Sequence, residues 1–248
     1  MFSSLNFFFK RPKKVTLEWM GVDMHSHILP GIDDGSRDLG SSIDFIRGLS
    51  ELGIEKFICT PHIFTEVYPN SKRTIFPVLE QLRSELRNQS IDVQVEAAAE
   101  YMMDLDFVEL LKNDDILPLH GKHVLVEMSY QVETRNVDQF IFDLNIKGYQ
   151  PVLAHPERYI YYHNNFEQYR KMKEHGCILQ VNMLSLAGYY GKAVKQIALS
   201  LLKEKLIDVV GTDLHHVKHL EYITKFVKSG SAAKLLADYP VRNNELFR

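Results

Sequence analysis

Short apolar runs with the length of buried strands recur along this chain of 248 residues, and they alternate with longer stretches in which apolar residues return every three or four positions. Buried strands read as nearly continuous hydrophobic runs, whereas a period of three to four residues is typical of amphipathic helices. We predict strands at 19–22, 56–60, 93–99, 123–126, 151–154, 177–181 and 207–212. We predict helices at 41–52, 75–87, 137–146, 166–174 and 193–206.

Alternating strands and helices imply a parallel sheet with right-handed crossovers. Nearly every predicted strand ends next to a residue that can bind a metal, and only a closed sheet brings the carboxyl ends of all its strands together. The sequence therefore predicts an α/β fold, a distorted seven-stranded (β/α)7 TIM-like barrel, rather than an open doubly wound sheet. The residues at these strand ends are His62, Glu100, Glu127, His155, Asp213 and His215.

The first predicted strand leads into the sequence DMHSH at 23–27. Because side chains at i and i+2 of an extended chain point to the same side, we expect His25 and His27 to project together. Neutral imidazole is the commonest protein ligand for a divalent transition metal, although an isolated HxH is a weak motif. With Asp34 added, the candidate metal ligands are His25, His27, Asp34, His62, Glu100, Glu127, His155, Asp213 and His215.

These nine candidate ligands are too many for one ion, so the set predicts a cluster of two or three. Mixed nitrogen and oxygen donors suit manganese, iron or zinc better than calcium. Three divalent ions, four carboxylates and a bridging hydroxide leave a net charge of about +1, which would attract a phosphate dianion. Clustered ions also generate hydroxide near neutral pH, so phosphoester hydrolysis is the predicted chemistry.

Length and composition fit one large domain. A hydrophobic content of 45% supports a single core, and we assign residues 19–248 to one barrel domain. The formal net charge of −3 disfavours a nucleic-acid partner. Only Cys59 and Cys177 are present, which predicts reduced thiols in a cytoplasmic protein. No apolar stretch is long enough for a transmembrane segment.

The first 18 residues are predicted to form a flexible basic and aromatic tail. The apolar patch Phe7–Phe9 precedes Lys10, Arg11, Lys13 and Lys14, which is the wrong order for a secretory signal, and the patch is too short. A solvated tail is the simpler interpretation. The alternative is contact with an anionic membrane surface or a partner.

Seven motifs resemble those of the polymerase and histidinol phosphatase (PHP) superfamily. They are DMHSH, the DDG at 33–35, the TPH at 60–62, AAAE, VLVEMS, AHPERY and GTDLH, which run in the same order from about Gly21 to about His216. They are most similar to the branch of manganese-dependent bacterial protein-tyrosine phosphatases from capsule and exopolysaccharide loci. The resemblance implies a PHP-type barrel with three manganese ions, iron or zinc being the alternatives.

The resemblance also implies how the ligands divide among the ions. It gives one ion to His25, His27, Glu100 and Asp213, a second to Glu100, Glu127 and His155, and a third to Asp34, His62 and His215. The predicted catalytic residues are Arg158, Asp213 and His215.

The predicted substrate contacts are Arg158, Lys218 and Tyr159. Arg158 of AHPERY is implied to hold a phosphate oxygen, which its guanidinium fork suits, and an ion pair with Glu157 is the alternative. Relatives carry a second arginine where this chain has Leu220, so Lys218 or His219 is expected to substitute.

An aromatic mouth is also predicted around the site. Tyr159 is expected to stack on a phenyl ring, with loop packing equally open. The other residues assigned to this mouth are Phe64, Tyr68, Tyr161 and Tyr162.

The function predicted from these observations is that of a metal-dependent phosphomonoesterase, most specifically a protein-tyrosine phosphatase, with a metal-bridging hydroxide as the nucleophile. The resemblance implies a tyrosine-phosphorylated partner, a membrane-associated bacterial tyrosine kinase of capsular or exopolysaccharide biosynthesis. A histidinol phosphatase, or another small phosphate-ester hydrolase, is one alternative, and a nuclease is disfavoured by the acidic charge balance. A non-catalytic regulator that binds a kinase is another, but such a protein has no physical need for all nine ligands.

Two other phosphatase mechanisms are disfavoured. Asp104 and Asp106 in DLDFV imitate an aspartate nucleophile motif, but acids before apolar residues are typical of a helix start. Neither cysteine is followed by arginine at the spacing that a cysteine phosphatase loop needs, so a covalent thiol mechanism is not expected.

Overall fold

Parallel β-strands form the centre of the computed structural model, which describes residues 15–248. The strands are β1 (Val22–Asp23), β2 (Lys56–Cys59), β3 (His62–Ile63), β4 (Gln94–Ala97), β5 (Glu100–Met102), β6 (His123–Glu127), β7 (Gln150–Ala154), β8 (Ile178–Asn182) and β9 (Val209–Gly211). They pair in the orders β1-β2-β4 and β3-β5-β6-β7-β8-β9, and each of these pairs is parallel.

The nine segments are seven barrel strands, because two strands are interrupted. The first interruption separates β2 from β3 at Thr60 and Pro61, where proline offers no N–H for a ladder. The second separates β4 from β5. Pairing continues across both breaks, since Ala98 N donates to Cys59 O at 2.8 Å and Glu100 N donates to Pro61 O at 3.1 Å. The predicted distorted seven-stranded α/β barrel is therefore confirmed.

The first and last strands meet through a short bridge beyond β1 and β9. Ser26 and Leu214 form an isolated parallel bridge. On either side of it, His27 N donates to Leu214 O at 2.9 Å, and Asp213 N donates to His25 O at 2.8 Å. Four candidate ligands therefore lie on the segments that join the two edges.

Side chains complete this β1/β9 junction below the bridge. The buried Asn243 amide donates to Val22 O at 2.9 Å and to Val210 O at 2.7 Å, and its Oδ1 accepts from Val210 N at 2.9 Å. The buried carboxylate of Asp23 accepts from both the backbone N–H and the hydroxyl of Thr212. These bonds take the place of a continuous ladder.

Ten helices are present in the described range. They are α1 (Leu39–Ser50), α2 (Lys72–Asn88), α3 (Leu105–Lys112), α4 (Val137–Ile146), α5 (Phe166–Glu174), α6 (Met183–Ala187), α7 (Lys192–Lys203), α8 (Val217–Lys228), α9 (Ser231–Leu236) and α10 (Asn243–Phe247). Short 3-10 turns occupy Pro156–Arg158 and Ile160–Tyr162. All five predicted helices are present, and α4 and α5 have the predicted bounds. Asp104 caps α3 by accepting from Phe107 N at 2.8 Å, which confirms the helix-start interpretation.

Two apolar clusters form the core. The larger one lies between the strands and the surrounding helices. The smaller one takes residues from all seven barrel strands and so fills the barrel interior. Phe247 of α10 belongs to the smaller cluster and contacts His123 at the start of β6, with ring centroids 5.5 Å apart. The amino-terminal end of the barrel is thus packed with side chains, which leaves the opposite end for a site.

The predicted tail at 1–18 lies mostly outside the described residues. At its end, however, Leu17 is fully buried and its N–H donates to Leu52 O at 2.6 Å. Leu17 therefore packs against the fold, while the assignment of residues 1–18 to a tail stays a prediction. None of the helices in the described range combines the length and the hydropathy needed to cross a bilayer.

Candidate metal centre

His25 and His27 project together, as their spacing predicts, and two carboxylates meet them. Their Nε2 atoms are 3.3 Å apart. Glu100 Oε2 lies 3.2 Å from His25 Nε2 and 3.3 Å from His27 Nε2, and Asp213 Oδ1 lies 3.4 and 3.5 Å from the same atoms. Metal–ligand bonds of about 2.0–2.2 Å in a tetrahedron separate the ligands by about 3.4 Å. These four atoms therefore have the spacing of a preformed cation site.

The contacts around Glu100 are not ordinary hydrogen bonds. Its Oε2 is buried and has no hydrogen-bond partner within the described range, although imidazole nitrogens of His25, His27 and His62 lie 3.2 to 3.3 Å away. A buried carboxylate oxygen without a partner is costly. A divalent cation among these nitrogens would satisfy it, so the residues present fit a metal.

Two further groups extend the site on either side of Glu100. His155 Nε2 lies 3.1 Å from Glu100 Oε1, and His62 Nδ1 lies 3.1 Å from Glu127 Oε1. Toward solvent, Asp34 Oδ1 lies 3.5 Å from His62 Nε2 and 3.6 Å from His215 Nε2. Glu100 thus lies at the centre of the candidate ligands. Each ring nitrogen of His62 lies near a carboxylate.

All nine predicted ligands come together in four overlapping groups. These are His27, Asp34, His62 and His215; His25, Glu100 and His155; His25, His27 and Asp213; and His62, Glu100 and Glu127. In the implied division only Glu100 is shared between two ions. In the structure His27 also lies near Asp34, and His62 also lies near Glu127, so the groups share more residues than the division does. The division itself stays a prediction.

Residues outside the ligand set fix the imidazole rings. His25 Nδ1 lies 2.8 Å from Gln180 Oε1, and His27 Nδ1 lies 2.8 Å from Asp33 Oδ2. With the proton on Nδ1 donated to these oxygens, the Nε2 lone pairs face the centre. Sequence reasoning missed both partners. The paired acids of DDG were the available signal for Asp33.

Two glycines let the backbone approach these ligands closely. A Cβ on Gly35 would lie 2.1 Å from His27 O, and one on Gly211 would lie 2.7 Å from His25 Cβ. Neither contact is tolerable, so the glycines of DDG and GTD are required by space. Glycine commonly marks such close approaches.

Two ligands leave their strands in the left-handed backbone region. His155, after β7, has φ 34°, and Asp213, after β9, has φ 50°. This region is sparsely populated by residues other than glycine and asparagine, and such strain is found at functional sites. The turn aims both side chains across the carboxyl end of the barrel.

The charges of the centre favour a cation. Burial and His27 lower the pKa of His62, but Glu127 and Glu100 outweigh them and raise it to about 9. Burial would raise the pKa of Glu100, yet His25 and the other histidines hold it well below the ordinary value. Glu100 is therefore ionised and His62 protonated near neutral pH. A divalent ion can replace the proton of a ligand histidine.

A cavity of about 410 Å3 opens above the ligands. Besides candidate ligands it is lined by Met102, Tyr130, Arg158, Tyr189, Tyr190, His216 and His219. A volume of this size accommodates a small ligand or one substrate side chain.

Arg158 is held in this cavity by three neighbours. Its Nη1 donates to Asp213 Oδ2 at 3.1 Å. Its Cζ lies 4.2 Å from the ring centroid of Tyr130 and 4.3 Å from that of Tyr190, so the guanidinium makes a cation–π contact with each ring. Burial alone would lower the pKa of Arg158, but Tyr130 and Asp213 raise it, so the fork is charged.

The alternative partner for Arg158, Glu157, has a different role. It is fully buried, and its Oε1 accepts from Asn182 N at 2.9 Å. Asn182 in turn donates through Nδ2 to Asp213 Oδ2 at 2.6 Å. Arg158 and Asn182 therefore hold one oxygen of Asp213 while the other oxygen faces the histidines.

The other predicted substrate contacts are placed differently from the prediction. Tyr159 is fully buried; its hydroxyl accepts from Met128 N at 3.0 Å and donates to Ala154 O at 3.1 Å. Lys218 is exposed on α8, and the cavity lining does not include it. His219, the other candidate for the position, does line the cavity. Within the described residues, none of the five aromatic residues predicted for the mouth lines the cavity. The tyrosines that do line it are Tyr130, Tyr189 and Tyr190.

The fold and the candidate ligands together define a class: a PHP-type barrel with a candidate metal centre at the carboxyl ends of its strands. The family model for capsular polysaccharide synthesis, CpsB/CapC, matches residues 21–229. The chain belongs to this family, which confirms the resemblance seen in the motifs.

Curated relatives and solved structures agree with this assignment. The chain is 34% identical to the tyrosine-protein phosphatase YwqE of Bacillus subtilis, over 82% of this chain and 81% of the relative. It is 26% identical to the tyrosine-protein phosphatase CpsB of Streptococcus pneumoniae, over 88% and 96%. Among crystal structures of these two proteins, described as metal-dependent tyrosine phosphatases, one chain aligns with a TM-score of 0.81 and 31% identity, covering 90% of this chain and 91% of that one.

Proposed function

We propose that the protein is a metal-dependent protein-tyrosine phosphatase. The observation that carries the proposal is that two parts of one site share Asp213. This carboxylate lies among His25, His27 and Glu100, and it also accepts a hydrogen bond from the guanidinium of Arg158. A phosphate ester held by Arg158 would lie over the metal ligands. The assignment agrees with the names of the relatives.

The nine ligands suit three divalent ions, and we propose manganese, because four carboxylates and five imidazoles form a mixed oxygen and nitrogen set. Glu100 and Asp213 would hold the buried ions, and Asp34, His62 and His215 the outermost one. When bound, such ions neutralise phosphate charge and make hydroxide available near neutral pH.

Arg158 binds and orients the phosphate in this proposal. Its planar fork can contact two phosphate oxygens, and Tyr130 and Tyr190 restrict its rotation before substrate arrives. Because the fork is already ordered, little conformational entropy is lost on binding. Charge that develops on the phosphoryl oxygens would strengthen the contact in the transition state.

His219 supplies a second donor at the position where a second arginine was expected. Its Nδ1 accepts from His215 N at 3.3 Å, so the neutral ring carries its proton on Nε2. Burial and the neighbouring His216 lower the pKa of His219 to about 3, and the ring is therefore neutral at physiological pH. We propose that this Nε2–H contacts a phosphate oxygen, with Lys218 too exposed to do so.

The proposed substrate is phosphotyrosine in a protein, and the proposed partner is a bacterial tyrosine kinase of capsule or exopolysaccharide synthesis. Tyr189 and Tyr190 at the cavity wall offer edge and face contacts to a phenyl ring. Phenolate is also a good leaving group, which reduces the need for a general acid. We place the protein in the cytoplasm, which agrees with Cys59 and Cys177 being buried free thiols.

Kinetics of the full-length protein test the proposal. Protein stripped with a chelator should be inactive on phosphotyrosine peptides and should recover activity with manganese. Glu100→Gln should bind less metal and stay inactive. Activity should favour phosphotyrosine peptides over phosphoserine peptides and histidinol phosphate. Faster turnover of histidinol phosphate than of every peptide would reject the proposed substrate, and full activity after chelation would reject the metal.

A further inference from the structure

A second cavity, of about 450 Å3, is lined by residues of α7, α8 and α9. Its lining combines apolar side chains with three lysines. The residues that line it are Ala187, Lys195, Leu199, Tyr222, Lys225, Phe226, Ser229, Ser231, Lys234 and Leu235. We call it the lysine cavity.

The charge of the lysine cavity is one-sided. Lys195, Lys225 and Lys234 line it, and the lining in the described range contains no acidic residue. None of these three ammonium groups has an ion pair with a carboxylate of residues 15–248, whereas Lys171 and Lys173 of neighbouring α5 both have one. Unpaired cations beside apolar side chains suit an anionic group attached to an apolar stem.

The two cavities share one face of α8. His219, Tyr222 and Phe226 follow one another at i, i+3 and i+7, which places them on the same side of the helix. His219 lines the catalytic cavity and Phe226 the lysine cavity. Seven residues of helix rise by about 10 Å, so His219 and Phe226 are separated by about that distance along α8.

Aromatic rings cover the helix between the cavities. Tyr189, from the lining of the catalytic cavity, contacts the ring of His219 at 4.7 Å and that of Tyr222 at 5.0 Å, both edge to face. Tyr222 is 48% exposed, which is high for a large aromatic side chain that is packed on a neighbour. The rings of His219, Tyr189 and Tyr222 therefore form a contiguous aromatic group between the two linings, and Tyr222 is its exposed member, against which a peptide could lie.

We propose that the lysine cavity binds an acidic side chain of the polypeptide substrate, about three residues from the phosphotyrosine. An extended peptide advances about 3.3 Å per residue, so three residues span the roughly 10 Å of α8 between His219 and Phe226. A carboxylate would meet the three lysines, and the adjacent apolar atoms would meet Leu199, Phe226 and Leu235. The inference rests on the proposed function, because it names where the rest of that substrate binds.

Matched peptides test the proposal with the metal-loaded full chain. Each pair carries one phosphotyrosine and differs only by Glu or Gln three residues before or after it. In low salt, kcat/KM should favour the Glu peptide on one side by about three- to tenfold, the range expected of a few exposed ion pairs. The preference should shrink as salt screens the charges.

The combined variant Lys195→Gln, Lys225→Gln and Lys234→Gln should lose this preference. Its kcat/KM for p-nitrophenyl phosphate, which is too small to reach the lysine cavity, should equal that of the wild type and so report correct folding. Lys228→Gln, an exposed lysine of α8 outside the lining, is the control and should keep the preference.

Equal rates on Glu and Gln peptides, or a preference that survives in the triple variant, would overturn the inference while leaving the phosphatase proposal intact. If no phosphotyrosine substrate is hydrolysed, the proposed function fails. Fluorescence anisotropy with labelled forms of the same peptides would then measure their affinity without catalysis. Tighter binding of the Glu peptide to the wild type than to the triple variant supports carboxylate binding in the lysine cavity, and equal binding rejects it. Vesicles with anionic lipid that bind the wild type but not the triple variant, without a peptide preference, would assign the cavity to a membrane surface instead.

Discussion

Asp33 Oδ2 accepts a hydrogen bond from His27 Nδ1 at 2.8 Å, and this contact determines which ring nitrogen faces the metal centre. The carboxylate is well placed to do so, because its Oδ1 accepts from Gly35 N at 3.0 Å and its Oδ2 also accepts from His62 N at 3.2 Å. Burial would raise the pKa of Asp33, but His27 and His62 lower it to about 2. The side chain is therefore an ionised orienting group, distinct from the candidate ligand Asp34 beside it.

We predict that Asp33→Asn weakens metal binding by about 10- to 100-fold, the usual cost of removing a carboxylate that orients a histidine ligand. The amide keeps the shape but loses the charge that holds the Nδ1 proton. Competition with a fluorescent chelator measures the affinity. Asp44→Asn, on the exposed face of α1, is the matched control and should bind metal like the wild type. Equal affinities of the two variants would show that Asp33 does not orient His27.

The sequence predicts the ligands better than the residues that orient them. Most of the nine candidate ligands follow an apolar run, and the ends of parallel strands meet at one end of a barrel, so their coming together could be predicted. Gln180 could not be identified, because its contact with His25 depends on which strands become neighbours. Tyr130 and Tyr190 lie in loops without periodicity, so nothing in the sequence pairs them with Arg158.

Arg158 gives the second prediction. Arg158→Ala should retain the metal but lower kcat/KM for a phosphotyrosine peptide by about 10²-fold or more, since a charged contact to the transition state is lost. Arg158→Lys should recover only part of the loss, because lysine keeps the charge but lacks the planar fork that contacts Tyr130 and Tyr190. Elemental analysis controls for metal content. An alanine variant with normal kcat/KM would exclude Arg158 from phosphate binding.

Seven strands and five helices follow from the hydrophobic pattern, whereas the finer features of the fold do not. The apolar run at 93–99 predicts one strand, yet β4 ends at Ala97 and the barrel strand resumes only at Glu100 in β5. Helices α6, α9 and α10 contain five or six residues, which is fewer than two turns. Their sequences are therefore too short to display a helical period of apolar residues. The β1/β9 junction depends on side chains from the two ends of the chain, which local patterns cannot pair.

Asn243 provides the third prediction, which concerns this junction. Asn243→Ala removes three hydrogen bonds and leaves buried backbone groups of Val22 and Val210 without partners. The free energy of unfolding should fall by about 2–3 kcal/mol, because each unsatisfied buried group costs about 1–3 kcal/mol and relaxation recovers part of the loss. Urea unfolding measures it. Asn88→Ala, at the exposed end of α2, should lower the free energy of unfolding much less. Equal losses in the two variants would show that the junction does not depend on Asn243.

The last prediction separates metal chemistry from thiol chemistry. Cys59 is fully buried in β2, and Cys177 is 3% exposed just before β8. Burial raises the pKa of both thiols, that of Cys177 to about 12, so neither forms a thiolate near neutral pH. Because thiolate is the reactive form, iodoacetamide should label neither cysteine in the folded protein and both after unfolding, as mass spectrometry would show.

The double variant Cys59→Ala and Cys177→Ala should keep the wild-type kcat for phosphotyrosine peptides when loaded with metal, with some loss of stability from the smaller side chains. A chelator should abolish the activity of both proteins equally. Loss of turnover in a folded, metal-loaded double variant would instead implicate a cysteine in catalysis.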